Sequence, residues 1–296
     1  MEFTFYQSLF SRLSDALETH FSTTAGSIAA ALAPVATTLM CLYLIFWGIN
    51  VMRGMVTEPV LEGALRLVRM SVIVAFAINV GIYNNYLASF LWTTPDALAN
   101  VVVGGSGENS MHFLDALTGQ FYEMAQAFTD KAYADASLTG IPDLSLWVAG
   151  WAVLIGGILL TAYAAFLFVL SKIALAILLG IGGIFILMML FNTTQRFFMV
   201  WIGQCLTYVF LVLLTSSAVK LIMTIIQSYM TAALEAASDP SILHAVPALV
   251  FSLIGILVLI QLPAIAATLG GGAAVGTQGA FNMLYARTRT SLQQST

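Results

Sequence analysis

Long, almost uncharged apolar blocks flank a single polar stretch at residues 93–144, and this alternation confines the chain to folds that use lipid as solvent. The polar stretch holds seven acids, Asp96, Glu108, Asp115, Glu123, Asp130, Asp135 and Asp143, and one base, Lys131. Across all 296 residues only 8% are charged and 60% are apolar, whereas a soluble domain has about a quarter charged residues. So few charges cannot cover a water-exposed surface. Helices satisfy their own backbone in hydrocarbon, so the expected fold class is all-α: a polytopic helical membrane protein with one sizeable aqueous segment.

A spanning helix needs about 20 apolar residues. Residues 27–52 meet this, with Pro34 inside and Arg53 at the end. A second span reads near 68–92, after a basic loop carrying Arg53, Arg66 and Arg69. Beyond the polar stretch, 145–191 is apolar except for Lys172, 197–230 is apolar except for Lys220, and a last block covers about 243–269. Read as two full spans meeting at Lys172, the 145–191 block gives six spans. Read as one span followed by a re-entrant helix at 173–191, it gives five, the preferred count. Gly180, Gly182 and Gly183 permit the close packing that a re-entrant helix needs.

Short cytoplasmic loops carry Lys and Arg. The basic 53–69 loop therefore reads as inside, the N-terminus and 93–144 as periplasmic, and Arg287 and Arg289 in the tail as cytoplasmic. The expected organisation is an amphipathic N-terminal helix in 1–26, two spans and their loop in 27–92, the periplasmic segment 93–144, a membrane bundle in 145–269 and a cytoplasmic tail, 270–296. In the first of these, Phe3, Tyr6, Phe10, Leu13 and Leu17 form one stripe, with Arg12, Asp15 and Glu18 away from it. The N-terminus lacks a basic n-region before its first long apolar run, so the first span is expected to direct membrane insertion.

Within the periplasmic segment, Gly104-Gly105-Ser106-Gly107 reads as a hinge and Asn109 and Ser110 as caps for a helix starting near Met111. On it, Leu114, Leu117, Phe121, Met124 and Phe128 recur at alternating three and four, an a/d seam. This seam faces either a partner subunit or the chain's own bundle, and the partner reading is the functional one. The acids around it read as solvation.

Catalytic chemistry is not indicated. His20, His112 and His244 stand in no ligand spacing, and H-x-x-x-H, C-x-x-C, G-x-S-x-G and P-loop patterns are missing from the sequence. No cofactor and no metal are expected. Cys41 and Cys205 sit in apolar runs and read as packing residues. A net charge of −4 with no basic cluster gives no sign of nucleic-acid contact. Lys172 and Lys220 are the intramembrane functional candidates, with snorkelling to an interface as the plainer reading. No internal repeat is visible, which counts against an inverted-repeat permease, the alternative function. Thr193, Thr194, Gln195 and Gln204 cluster without forming the polar ring an ion channel needs.

Three motifs are more specific. They are Arg196-Phe197-Phe198-Met199-Val200-Trp201-Ile202-Gly203-Gln204 followed by Leu206-Thr207-Tyr208, then Leu262-Pro263-Ala264-Ile265-Ala266 followed by Gly270-Gly271-Gly272, and Val51-Met52-Arg53-Gly54. In order and spacing the chain resembles the polytopic inner-membrane subunit of bacterial type IV secretion and conjugation systems. The resemblance implies a homo-oligomeric ring of five subunits in the inner membrane, contacting a minor pilin or stalk subunit, the major pilin, other inner-membrane secretion subunits, the secretion ATPases and lipid. It implies a platform for pilus assembly or part of a translocation channel, with energy supplied by the ATPases. DNA contact is open in that class of machine, and nothing in these residues indicates it. Arg196, Trp201, Gly203, Gln204 and Pro263 are the assembly candidates it adds. By position, Trp201 reads as an aromatic anchor at the cytoplasmic interface beside Arg196. The glycines at 173–191 and the Ala264–Ala274 run offer a close-packing groove for a pilin helix.

Overall fold

The computed structural model describes residues 4–54, 60–104, 111–135, 143–191, 193–235 and 242–293. Helices account for nearly all of these, and the described residues contain no strand. They are α1 (Phe5–Met52), α2 (Val60–Ile78), α3 (Val80–Ile82), a π-helical turn (Tyr83–Ala88), α4 (Ser89–Val103), α5 (His112–Asp135), α6 (Leu144–Gly180), α7 (Gly182–Met188), α8 (Gln195–Glu235) and α9 (Ile242–Gln293). Four of them, α1, α6, α8 and α9, contain stretches long and apolar enough to cross a membrane, and a bent pair brings the count to five. The all-α, polytopic reading therefore holds over the described residues, with four to five candidate spans. The proposed hinge at Gly105–Gly107 and the caps Asn109 and Ser110 lie outside them.

Several boundaries differ from the sequence reading. The N-terminal amphipathic stripe and the first span are one uninterrupted helix, α1. Its serines and threonines turn back on their own carbonyls, as Thr19 does to Asp15, Thr23 to Thr19 and Thr37 to Ala33, so they cost the helix little. The second span is broken. Leu67–Ile78 and Val80–Val103 meet at 83°, where the Asn79 side chain accepts the Ile82 N–H and caps the new start. In the 145–191 block, α6 runs straight through Lys172, and the break falls at Ile181, between Gly180 and Gly182. A lysine does not end a helix whose backbone bonds are intact, whereas paired glycines lower the cost of leaving one. Gly54 and Gly104, at φ of 65° and 77°, close α1 and α4 in the left-handed conformation. At the start of α6, Asp143 accepts the Ser145 N–H and hydroxyl, and those bonds hold its carboxyl below the usual carboxylate range.

The chain forms two compact units. The first comprises Met1–Ser14, Thr94–Lys172 and Val209–Ala266, and the second Asp15–Thr93, Ile173–Tyr208 and Ala267–Thr296. In the first, α5 lies antiparallel on α6. The Phe121 ring covers Gly157, and seven residues on, the Phe128 Cβ lies 3.2 Å from where a Gly150 side chain would start. Gly255 of α9 admits Leu160 of α6 and Ile222 of α8. In the second unit, Phe21 and Ala25 of α1, Ile73, Val74 and Ala77 of α2, Leu175 and Leu179 of α6 and Trp201 and Cys205 of α8 share one core. Across the outside of both units large apolar side chains stay exposed, among them Phe46, Ile155, Ile177, Leu257 and Ile265, as expected of surfaces wetted by lipid.

Candidate functional site

Four arrangements of side chains give this fold its chemistry. The first is the α5 seam. Leu114, Leu117 and Phe121 are 0% exposed, and Met124 and Phe128 3%. They pack inside the first unit, so the seam is not a free surface for a partner subunit. The reason is geometric: Gly157 of α6 lies under the Phe121 ring, and seven residues earlier Gly150 lets the Ala125 carbonyl and the Phe128 Cβ come close. What α5 turns outward is Glu123, Gln126, Asp130 and Tyr133, all exposed and again at three and four.

Besides Asp143 at the start of α6, two more acids of the polar stretch do more than solvate. Asp115 is 3% exposed. Its two carboxylate oxygens accept the Tyr6 and Gln7 N–H groups at 3.0 Å each. It therefore caps α1 from a different element, where free amides and the helix dipole both favour a negative charge. The Tyr6 hydroxyl also meets Thr161 Oγ1 at 3.3 Å. Asp96 accepts a 2.6 Å bond from Lys172 Nζ. Lys172 is 1% exposed, so it is buried and paired, and does not snorkel. Sequence separations of 109 and 76 residues hid both contacts.

The third arrangement is the break at the end of α6. Leu178 and Leu179 sit in its last turn, where carbonyls lose their helical partners. Trp201 Nε1–H donates to the Leu178 carbonyl at 2.9 Å, and the Tyr83 hydroxyl donates to that of Leu179 at 2.6 Å. Trp201 is 1% exposed. Its ring stacks on Phe185 at 6.0 Å and 9°, with Phe198 alongside. It is a core residue covering exposed backbone, which corrects its reading as an interfacial anchor. Gly182 lies under both donors: a Cβ there would strike the Tyr83 hydroxyl and come within 2.8 Å of the indole. Gly180 packs on Thr24 and Gly183 on the Ala77 carbonyl. These glycines are therefore used within the chain and leave no groove. Gly182→Ala should weaken the chain by about 1–3 kcal/mol through overpacking. Trp201→Phe, which removes the donor together with part of the buried indole, should cost at least a similar 1–3 kcal/mol, the unmet carbonyl alone accounting for that much. Thermal unfolding of the purified full-length protein measures both, and unchanged midpoints would refute this account.

The fourth is the crossing of α8 and α9. A Cβ at Gly270 would collide with Thr207 Oγ1 and lie 2.7 Å from the Gly203 carbonyl. Gly203 is buried, so it and Gly270 let the two backbones touch, a membrane packing device. Gln204, one residue on, is exposed, as are Arg196 and Gly271, while Pro263 and Lys220 are half-buried. Lys220 makes no ion pair among the described residues. The predicted assembly residues thus divide between the core (Trp201, Gly203, Lys172) and the surface (Arg196, Gln204).

Comparison with known proteins decides the family. The family described as "TrbL/VirB6 plasmid conjugal transfer protein" matches residues 40–262. The chain belongs to that family. TrbL/VirB6 relatives align with most of its length. It is 26% identical over 281 residues to "Protein VirB6" of Agrobacterium fabrum, covering 92% of each chain. It is 23% identical over 272 residues to the "Type IV secretion system protein VirB6" of Bartonella quintana, covering 91% of this chain and 81% of that one. To the protein of the same description from Brucella abortus it is 29% identical over 216 residues, 69% of this chain and 60% of that one. As a TrbL/VirB6 member with several apolar helices, it is a multi-pass inner-membrane component of a type IV secretion system and works among other secretion subunits.

Proposed function

We propose that the chain forms an oligomeric inner-membrane platform, a ring of five, on which a conjugative or secretion pilus is assembled and which contributes part of the translocation passage. The N-terminus and α5 lie in the periplasm and the C-terminus in the cytoplasm, in keeping with the basic residues at 53–69 and 287–289. The minor pilin or stalk subunit docks from the periplasm, the major pilin leaves the bilayer beside the ring, and ATPases supply the energy. No step needs a catalytic group on this chain.

The observation that carries this reading is the outward face of α5. Its seam is spent internally, yet Glu123, Gln126, Asp130 and Tyr133 present an exposed, regularly spaced face with an aromatic among acids. Tyrosine is enriched at protein interfaces, and rim charges steer association. The docking role thus passes from the seam to this face. Glu123→Lys with Asp130→Lys should leave the amount of chain in the membrane unchanged and lower co-purification of the stalk subunit by roughly tenfold or more, the scale of one lost charge-complementary contact. Undiminished co-purification sinks the docking assignment. A phosphatase fused after residue 296 should be inactive, and an active fusion reverses the topology.

A further inference from the structure

One face of α6 is apolar for longer than a membrane is thick. From Leu144 through Trp151, Ile155 and Phe166 to Ile177, large exposed apolar side chains recur at helical spacing. At 1.5 Å per residue this stripe is about 50 Å long, against roughly 30 Å of hydrocarbon. Even tilted by about 40° it would rise about 38 Å through the bilayer. One end therefore stands outside, and α5 shows which. The Phe128 Cβ lies 3.2 Å from where a Gly150 side chain would start, and the Asp143 N–H donates to the Ala132 carbonyl at 3.2 Å. Asp130, between these two contacts, is exposed, and an exposed carboxylate needs water. The N-terminal end of α6 beside it is therefore out of the hydrocarbon. A hydrocarbon layer reaching to Ile177 begins near Ile155, about 33 Å along the helix. Headgroups add about 5–7 Å, which reaches Trp151 but not Val148, Trp147 or Leu144, about 10–16 Å beyond Ile155. Yet Leu144, Trp147, Val148 and Trp151 are 36–70% exposed, and the two indole rings lie 6.0 Å apart at 57°.

We infer that the face formed by Leu144, Trp147, Val148 and Trp151 packs against a second copy of this chain, just outside the bilayer. Lipid does not reach most of it and water does not suit it, so protein covers it. Its chemistry is that of a permanent contact: residues 144–151 carry no charge, and obligate interfaces between like subunits are apolar and rich in aromatics, with tryptophan a favoured anchor. The polar face of α5, assigned above to the stalk subunit, has the opposite character. The patch also runs without a break into the lipid-wetted stripe below it. A neighbour embedded in the same bilayer stands at the same depth and rises alongside, so a single contact continues from hydrocarbon into water. This deepens the oligomeric part of the proposed function and rests on it. It does not depend on stalk docking.

The test is photo-crosslinking in native membranes, with two differently tagged copies of the full chain co-expressed beside the other secretion subunits. Benzoylphenylalanine in place of Trp147 should give an adduct at the mass of two chains that carries both tags. The same probe in place of Tyr133, on the outward face of α5, should not. A second measurement is the native size of the detergent-extracted protein. Trp147→Glu with Trp151→Glu should leave membrane abundance unchanged and weaken self-association by roughly tenfold or more, the scale of a lost anchor residue. If the glutamates lower abundance, the two-tag adduct at position 147 decides alone. An adduct at 147 with the stalk subunit or with lipid in place of a second copy overturns the inference, and so does the lack of any protein adduct. An oligomer of unchanged size and strength in the glutamate variant overturns it too, while leaving the oligomeric platform standing. A wild-type chain that is monomeric in its native membrane overturns both.

Discussion

Alanine at Asp96 should destabilise the chain more than alanine at Lys172, although both substitutions remove the same 2.6 Å ion pair. The side chains are 34% and 1% exposed, respectively. Removing the carboxylate leaves a buried ammonium without that counter-charge, at a cost of about 3–5 kcal/mol. Removing the lysine leaves a carboxylate that water can partly reach. Its Oδ1 is buried and unbonded even in the intact protein, so the expected cost is smaller, about 1–3 kcal/mol. Replacing both by apolar residues of similar volume should recover much of the loss, because a well-packed apolar pair often equals a buried ion pair. Unfolding midpoints of full-length protein in a single detergent give the order. Equal losses, or a larger loss at Lys172, would contradict the burial asymmetry.

Phe121→Asp should prevent accumulation of the folded protein. Truncating a fully buried phenylalanine costs about 3–5 kcal/mol, and a buried carboxylate facing Gly157 adds the cost of desolvating a charge. Stalk docking would then be lost for want of a folded surface. Gly157→Leu, which drives a side chain into the same ring, should behave alike. By contrast, Tyr133→Ala on the exposed face should leave protein levels intact. Membrane abundance and protease resistance separate the two classes, and normal abundance of Phe121→Asp would mean that the seam is not the core of its unit.

The spans were legible because lipid selects on composition: α6, α8 and α9 are apolar blocks that could be nothing else. Helix α5 was legible from the spacing of Leu114 to Phe128, but not the surface it meets, since an a/d seam looks the same against its own chain or another. The signal that could have decided it was on the other helix, where Gly150 and Gly157 repeat the interval of Phe121 and Phe128. Trp201 was misjudged because sequence position marks nearness to an interface and not the direction of a ring. The underside of that ring was legible only as Gly182. The roles of Asp115 and Asp96 could not be read at all, because each depends on elements brought together by the fold, and a surface acid and a capping acid are identical as letters.

The paired phenylalanines and glycines have one more consequence. Sliding α5 along α6 by one heptad would set a ring against Ala164, already fully buried, or against Asp143. Neither is a hole. The pairing therefore works as a lock with a single key position, specifying alignment as well as affinity. Homologues are then expected to change these positions in concert, with a bulkier α6 residue tolerated only where the facing aromatic has shrunk.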